Sequence, residues 1–474
     1  MEERKGFGSN FGFLMAAVGS AVGLGNIWGF PNKMGASGGF TFLIIYLVLA
    51  ALCGFIVMIG ELAIGRKTGA SAVKAYKVLS KKFKWLGWLG VASAFFILSF
   101  YCALGGYCIK YVVLNFGNLI GAGFGTNGMS GGDVFGAFIT NQAASVIFGL
   151  IFVAITMIIV MGGVGGGIEK VCSIGMPALF VMLVICIIRA CTLPGAVDGL
   201  KYMFVPGWAV AQGIVEKPDL FNVISTAGGQ MFFSLSLGMG AMITYGSYLN
   251  KKENLEKNAL LIVIMDTLVA LCAGLCVIPA RFALDPEGAL GGPKLLFVTM
   301  QNVFDSMGAI GPIFGIIFYL LVVFAAISSS ISLLETVVAH FVDEARDAGK
   351  GDMRKKYSLI TTIFVAILCV LVCLDGLGSN GIAPVDFLGG AVKGWNDCWL
   401  DFFDCISEGI MMPLGALFMS LMIGWETGAD LVKEEAEQEG NKMKSFGYFK
   451  VCVKFITPLC MLLVLWGQIS SFFF

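Results

Sequence analysis

Long apolar runs recur along this sequence, near 11–31, 39–65, 86–116, 143–161, 168–191, 222–249, 257–283, 308–342, 358–374, 400–424 and 449–472. A soluble core cannot bury so many. About 20 such residues cross the roughly 30 Å hydrocarbon layer of a bilayer as a helix. Backbone polar groups in lipid must be paired within the chain, which leaves helices or a closed barrel. These runs are continuous where a barrel strand would alternate, so they predict helices. The expectation is an all-α polytopic membrane protein with eleven transmembrane helices in one membrane domain over 1–474. Composition agrees, with 58% hydrophobic residues against 13% charged.

Several function classes lose support at once. Lys and Arg total 31 and so do Asp and Glu, giving zero net charge and no electrostatic case for nucleic acid. The 14 cysteines are scattered through apolar runs without C-x-x-C spacing and read as reduced packing residues. The single His340 has no neighbours that complete a metal site. The first apolar run leads into a Gly-rich stretch without a small-residue cleavage pattern, so no cleavable signal peptide is expected.

Basic residues set the orientation. The second connection carries Arg66, Lys67, Lys74, Lys77, Lys81, Lys82 and Lys84, whereas 117–142 has no Lys or Arg. Lys251, Lys252 and Lys257 follow the sixth run, and Arg346, Lys350, Arg354, Lys355 and Lys356 follow the eighth. Even-numbered connections are therefore expected in the cytoplasm of a multi-pass plasma (inner) membrane protein. The N-terminus is then cytoplasmic and the C-terminus extracellular. The mixed-charge stretch 433–444 reads as a solvated cytoplasmic loop and nothing more.

Two runs carry interruptions. The first holds Gly19, Gly23, Gly25 and Asn26; the sixth holds Ser234, Ser236, Gly238 and Gly240. Glycine costs about 1 kcal/mol relative to alanine in a helix interior and lets the backbone leave helical geometry. Small residues also serve close helix packing, and for either segment alone that reading stays open. The two lie in corresponding places of 11–191 and 222–424, five helices apart. That correspondence points to a 5+5 inverted repeat, with helices 1 and 6 broken around a midplane site and 449–472 as an additional helix.

The residues in these breaks resemble the signature of the neurotransmitter:sodium symporter family, bacterial amino-acid transporter branch. The matching stretches are GSAVGLGNIWGFP from Gly19 to Pro31, QMFFSLSLG from Gln230 to Gly238 and AAISSS from Ala325 to Ser330. Gly60-Glu61-Leu62 and the pair Gly167 and Pro177 add support. The resemblance implies a transporter, not an enzyme, which carries a small amino acid by Na⁺ symport with two Na⁺ sites. The first would use the Ala21 carbonyl, Asn26, Ser234, Asp266 and the substrate carboxylate. The second would use the Gly19, Val22 and Ala325 carbonyls with the Ser328 and Ser329 hydroxyls. Serines in membrane helices also bond back to their own backbone, the plainer alternative for 328–330. The substrate would meet amides around Ala21, Val22 and Gly25 and the Tyr101 hydroxyl. Ile97, Phe233, Ser236, Met239, Ser329 and Leu333 would line a mostly apolar pocket suited to a hydrophobic amino acid. Glu61 would brace the unwound segments.

An ionisable group in a membrane helix is costly and functional by default. Asp266 is therefore expected to supply the negative charge that eukaryotic relatives take from chloride, making transport chloride-independent; a protonated structural aspartate is the alternative. Arg4 and Asp343 match the family's inner ion-pair positions, and Phe7 stands where a tryptophan is usual, which still leaves an aromatic plug there. At the outer gate the family's arginine is replaced by Gly29, while its partner Asp404 remains. Lys33 reaching Asp404, a wetter gate, and a cationic substrate facing Asp404 are the open readings. A non-transporting amino-acid sensor on the same scaffold is the alternative function. Neither the identity of the amino acid nor the oligomeric state is written in the sequence.

Overall fold

The computed structural model describes residues 6–287, 293–384 and 398–473; within them the chain is helical, with no strand. Among the described residues nine helices are long and apolar enough to cross a membrane, and a tenth span is the pair Asn10–Ala21 and Gly25–Ala36, bent by 44°. We label that pair α1. The others are α2 (Phe40–Thr68), α3 (Leu86–Ile120), α4 (Gln142–Met161), α5 (Val164–Cys191), α7 (Leu255–Leu284), α8 (Gly308–Asp347), α9 (Arg354–Asp375), α10 (Trp399–Glu426) and α11 (Phe446–Ser470). Between α5 and α7 lies α6, split into Leu220–Ser234 and Ala241–Gly246. Neither half is long enough to span alone, so the sixth expected helix is present but divided.

The long helices α3 and α8 pack most extensively on each other, flanked by α4 and α9. On α3, Gly106 is packed against Gly149 of α4 and Tyr111 lies against Tyr319 of α8, ring centroids 5.0 Å apart. The outer faces of α4 and α5 instead expose Ile147, Ile158, Ile174, Val181 and Ile188, as expected where lipid replaces protein as the apolar neighbour. The broken helices sit inside. The first half of α1 packs on α8, α5 and α7, and the second half of α6 on α2.

Each break has a local cause. In α6, Ser236, Gly238 and Gly240 hold φ of +55°, +79° and +77°. Two are glycines, for which the left-handed region is free of strain; Ser236 is not, and an L-residue there costs roughly 1–2 kcal/mol. Its hydroxyl donates to the Ser20 carbonyl at 2.8 Å, which ties the α6 break to the α1 break and offsets that strain. Glu61 of α2 supports the same turn, accepting from the Gly238 amide at 2.7 Å. The apolar bulk of α2 offers the loop no other acceptor of that strength. In α2 itself a π-helical turn, Ala50–Gly54, leaves carbonyls outside the regular ladder. Tyr448 donates to Ala51 and Thr457 to Leu52, at 2.9 and 3.1 Å.

The stretch after α10 departs from expectation. Asp430–Ala436 is helical, with Leu431, Val432 and Glu435 buried. Buried Arg66 at the end of α2 donates through Nε to Glu435 at 2.8 Å, and through a terminal nitrogen to the Glu253 carbonyl at 2.7 Å. An arginine that has lost its water needs such partners, so this segment is docked rather than merely solvated.

Candidate functional site

The two breaks face each other across a small cavity of about 10 Å³, room for about one water. Ala21, Gly25, Ile97, Tyr101, Phe233, Ser236, Met239, Ser329 and Leu333 line it together with Ser20 and Gly23. Sequence reasoning named the first nine as a pocket, drawn from α1, α3, α6 and α8. Val22 is the exception. Its amide donates to Val18 at 2.6 Å, still inside the helical ladder, and it does not line the cavity. The next two amides leave that ladder: Gly23 donates to Asn26 Oδ1 at 2.9 Å and Leu24 to the Tyr101 hydroxyl at 2.7 Å. Tyr101 thus holds the α1 turn as well as facing the cavity.

Behind the turn lies Asp266, fully buried on α7. Its carboxylate accepts from Asn26 Nδ2 at 2.7 Å and from Ser234 Oγ at 3.0 Å, and Tyr46 adds a longer bond at 3.3 Å. Tyr46 went unnoticed in the sequence because an aromatic in an apolar run carries no distinguishing signal. All three partners are neutral. An ionised carboxylate out of water with no basic side chain beside it is strongly disfavoured unless a cation compensates it. The oxygen-rich surroundings of Asn26, Ser234 and Asp266 are of the kind a hard cation requires; the residues fit an alkali-metal ion.

A second oxygen cluster joins α1 to α8. Ser328 Oγ donates to the Ala325 carbonyl at 2.9 Å and lies 3.4 Å from that of Val22. Ser329 Oγ lies 3.2 Å from the Gly19 carbonyl and 3.1 Å from that of Ser20. The expected Gly19, Val22, Ala325, Ser328 and Ser329 are therefore neighbours. Back-bonding accounts for the Ser328–Ala325 contact alone; the contacts to α1 cross between helices. This cluster also fits a hard cation, from carbonyls and hydroxyls only.

Phe233 closes the cavity on one side, its ring 6.5 Å from that of Tyr101. Beyond it opens a larger cavity of about 730 Å³, lined by Phe233, Gly29, Lys33, Gln230, Asp404 and Glu408 among others. A β-carbon at position 29 would lie 2.8 Å from Gln230 Oε1, so a side chain there would have to displace the Gln230 amide. Gln230 is itself fixed, donating to the Gly25 carbonyl at 2.6 Å. Lys33 reaches α10, but its ion-pair partner is Glu408, one turn past Asp404. The α1 helix continues to Ala36, beyond the expected end near 31, and so carries Lys33 to that height.

At the opposite end, Phe7 packs edge-on against Phe13, Tyr245 and Tyr248 with centroids 5.5–6.1 Å apart. Asp343 is buried and accepts from the Ser71 amide at 2.8 Å. Arg4, the expected inner-gate cation, lies outside the described residues.

Comparison with known proteins converges on one group. The pattern described as the sodium:neurotransmitter symporter family matches residues 4–125 and 139–473. An uncharacterized sodium-dependent transporter of Bacillus subtilis, YhdH, is 34% identical over 463 residues, 96% of each chain. One from Haemophilus influenzae is 30% identical, covering 98% of each. The crystal structure of MhsT in complex with L-phenylalanine superposes with a TM-score of 0.85 at 35% identity, covering 98% of this chain and 100% of that one.

Proposed function

Since this chain belongs to the sodium:neurotransmitter symporter family, we propose that it couples Na⁺ to the uptake of a hydrophobic L-amino acid and needs no chloride. Sodium-dependent symport is the family's activity; the substrate and the ion ligands are our reading. The observation that carries it is Asp266, a buried carboxylate whose hydrogen-bond partners among the described residues are all neutral. Bound Na⁺ supplies the positive charge this site lacks and links it to the substrate carboxylate. Asn26, Ser234, Asp266 and the Ala21 carbonyl hold the first ion. Ser328, Ser329 and the carbonyls of Gly19, Val22 and Ala325 hold the second. Because the substrate carboxylate completes the first ion site, each ligand strengthens the other's binding by the same factor.

Cavity chemistry supports the substrate class. Ile97, Phe233, Met239 and Leu333 form its apolar walls, and Met239 adapts to different shapes. The related MhsT holds L-phenylalanine. An amino acid exceeds the present cavity, so entry requires α1, α2, α6 and α7 to rock against α3, α4, α8 and α9, with Phe233 moving aside. In this reading the lysine-rich connections face the cytoplasm and the 730 Å³ cavity faces outside. There Lys33 and Glu408 take over closure from the absent arginine at position 29, and Lys33 already supplies the cation near Asp404.

Two experiments follow. Binding of labelled leucine, phenylalanine, glycine, lysine and glutamate to detergent-purified protein should be Na⁺-dependent, favour the apolar pair and be equal in chloride and gluconate. A preference for lysine or glutamate would contradict the substrate class, and loss of binding in gluconate the chloride claim. At the outer gate, Lys33→Gln and Glu408→Gln should each raise KM by roughly 30-fold, since either leaves a partly buried charge unpaired at about 2 kcal/mol. The double variant should recover most of that loss; equal and additive effects would show that the pair does not close the cavity.

A further inference from the structure

A groove of about 980 Å³ runs along the lipid-facing side of α7, walled by α2 and by the segment that enters α11. Leu260, Ile264 and Leu268, one turn apart on α7, line it and are about half exposed. Across from them stand Ala50, Ala51 and Phe55, where the π-helical turn of α2 leaves small residues and a recess. From Lys257 to Leu271 the α7 wall is about 21 Å long, somewhat deeper than one leaflet's half of the roughly 30 Å hydrocarbon layer.

One end of this apolar groove is basic. Lys257, Lys442 and Lys444 line it, and none of them joins the ion pairs found among the described residues. Glu256 lies beside them, but its two oxygens accept from the Lys444 and Ser445 amides at 3.0 and 2.7 Å. That carboxylate therefore fixes the 442–445 segment over the groove and leaves two of the three lysine charges uncompensated. Two hydroxyls in the lining, Ser445 Oγ at the basic end and Thr267 Oγ1 deeper in, are buried without a hydrogen-bond partner among the described residues. The basic end is held to the lysine-rich connections: Arg66 binds Glu435, and Asn441 binds the Lys252 carbonyl. It therefore lies at the membrane surface those connections mark.

We propose that this groove is a binding site for one anionic glycerophospholipid. Its phosphodiester headgroup sits among Lys257, Lys442 and Lys444, and an acyl chain lies along Leu260, Ile264 and Leu268. Apolar length at leaflet depth selects a lipid over a soluble anion, and the surplus lysine charge selects an anionic headgroup over a zwitterionic one. The same helix carries Asp266 on its inner side, so the lipid contacts an element that moves during transport.

The test is native mass spectrometry on delipidated, detergent-purified protein, titrated with dioleoylphosphatidylglycerol or dioleoylphosphatidylcholine. The wild-type chain should retain one phosphatidylglycerol at least tenfold more tightly than phosphatidylcholine. Lys257→Gln/Lys442→Gln/Lys444→Gln should lower phosphatidylglycerol retention to the phosphatidylcholine level, and Ile264→Trp, which fills the groove from an exposed position, should remove it. Lys81→Gln/Lys82→Gln/Lys84→Gln, elsewhere on the same surface, should change nothing; all variants are compared at matched gel-filtration profiles. Equal retention of both lipids, full retention by the first triple variant or by Ile264→Trp, or loss in the second triple variant would overturn the proposal. Equally tight binding of glycerophosphoglycerol, the headgroup without chains, would overturn it in favour of a soluble phosphate ester.

Discussion

Replacing Asp266 with asparagine will leave the chain folded and abolish Na⁺-driven uptake in chloride-free medium. The variant keeps the side-chain shape, and Ser234 and Tyr46 can still donate to the amide oxygen, while the contact from Asn26 is lost, since its NH2 would face another NH2. The negative charge is lost. Removing one member of a buried, hydrogen-bonded charge pair costs about 2–5 kcal/mol, or roughly 30- to 5,000-fold in affinity. The Na⁺ concentration for half-maximal binding should rise by at least about 30-fold on that scale. If the carboxylate takes the place of a mobile anion, adding chloride should restore part of the uptake to the variant and none to the wild type. Unchanged Na⁺ dependence in chloride-free medium would mean that Asp266 is a protonated structural residue.

The second large effect is expected at α8. Ser328→Ala combined with Ser329→Ala removes two hydroxyls that face the Val22, Gly19 and Ser20 carbonyls across the helix interface. In K⁺ medium the loss should be modest, about 1 kcal/mol per neutral hydrogen bond, with a correspondingly small fall in Tm. In Na⁺ the wild type should gain stability from an ion bound only to the folded chain, and the double variant should lose most of that increment. Uptake should fall by more than about tenfold, the equivalent of 1.4 kcal/mol. A fall in Tm of the same size in both salts would identify the serines as packing residues and remove the second ion site.

Both predictions rest on contacts of different legibility. The membrane class was readable because continuous apolar runs leave few folds open, and the α1 break because Gly19, Gly23 and Gly25 crowd one stretch. Nine of the residues assigned to a pocket do surround one cavity. Periodicity is silent about partners far apart in the chain. Nothing in the sequence pairs Ser236 with Ser20, or shows that Ser236 holds a left-handed backbone. Lys33 reaching Asp404 is one of three readings the sequence leaves open for the missing arginine, and the partner of Lys33 on α10 depends on how far α1 stays helical. The docking of 430–436 escaped notice because its charges resemble a solvated loop; only Arg66, buried at the end of α2, gives Glu435 a reason to be inside. The glycine pattern likewise does not fix where the helix ends: the Val22 amide stays within it, and the first amide to leave is that of Gly23.

The central claim is that this chain couples Na⁺ to amino-acid accumulation, and proteoliposomes test it most directly. Vesicles carrying the purified protein would be given labelled phenylalanine or leucine under an inward Na⁺ gradient in gluconate, with a K⁺ gradient as control. Accumulation above the external concentration, collapsed by a Na⁺ ionophore, is the predicted result. Tight Na⁺-dependent binding without accumulation would contradict it and make the protein a sensor on a transporter scaffold.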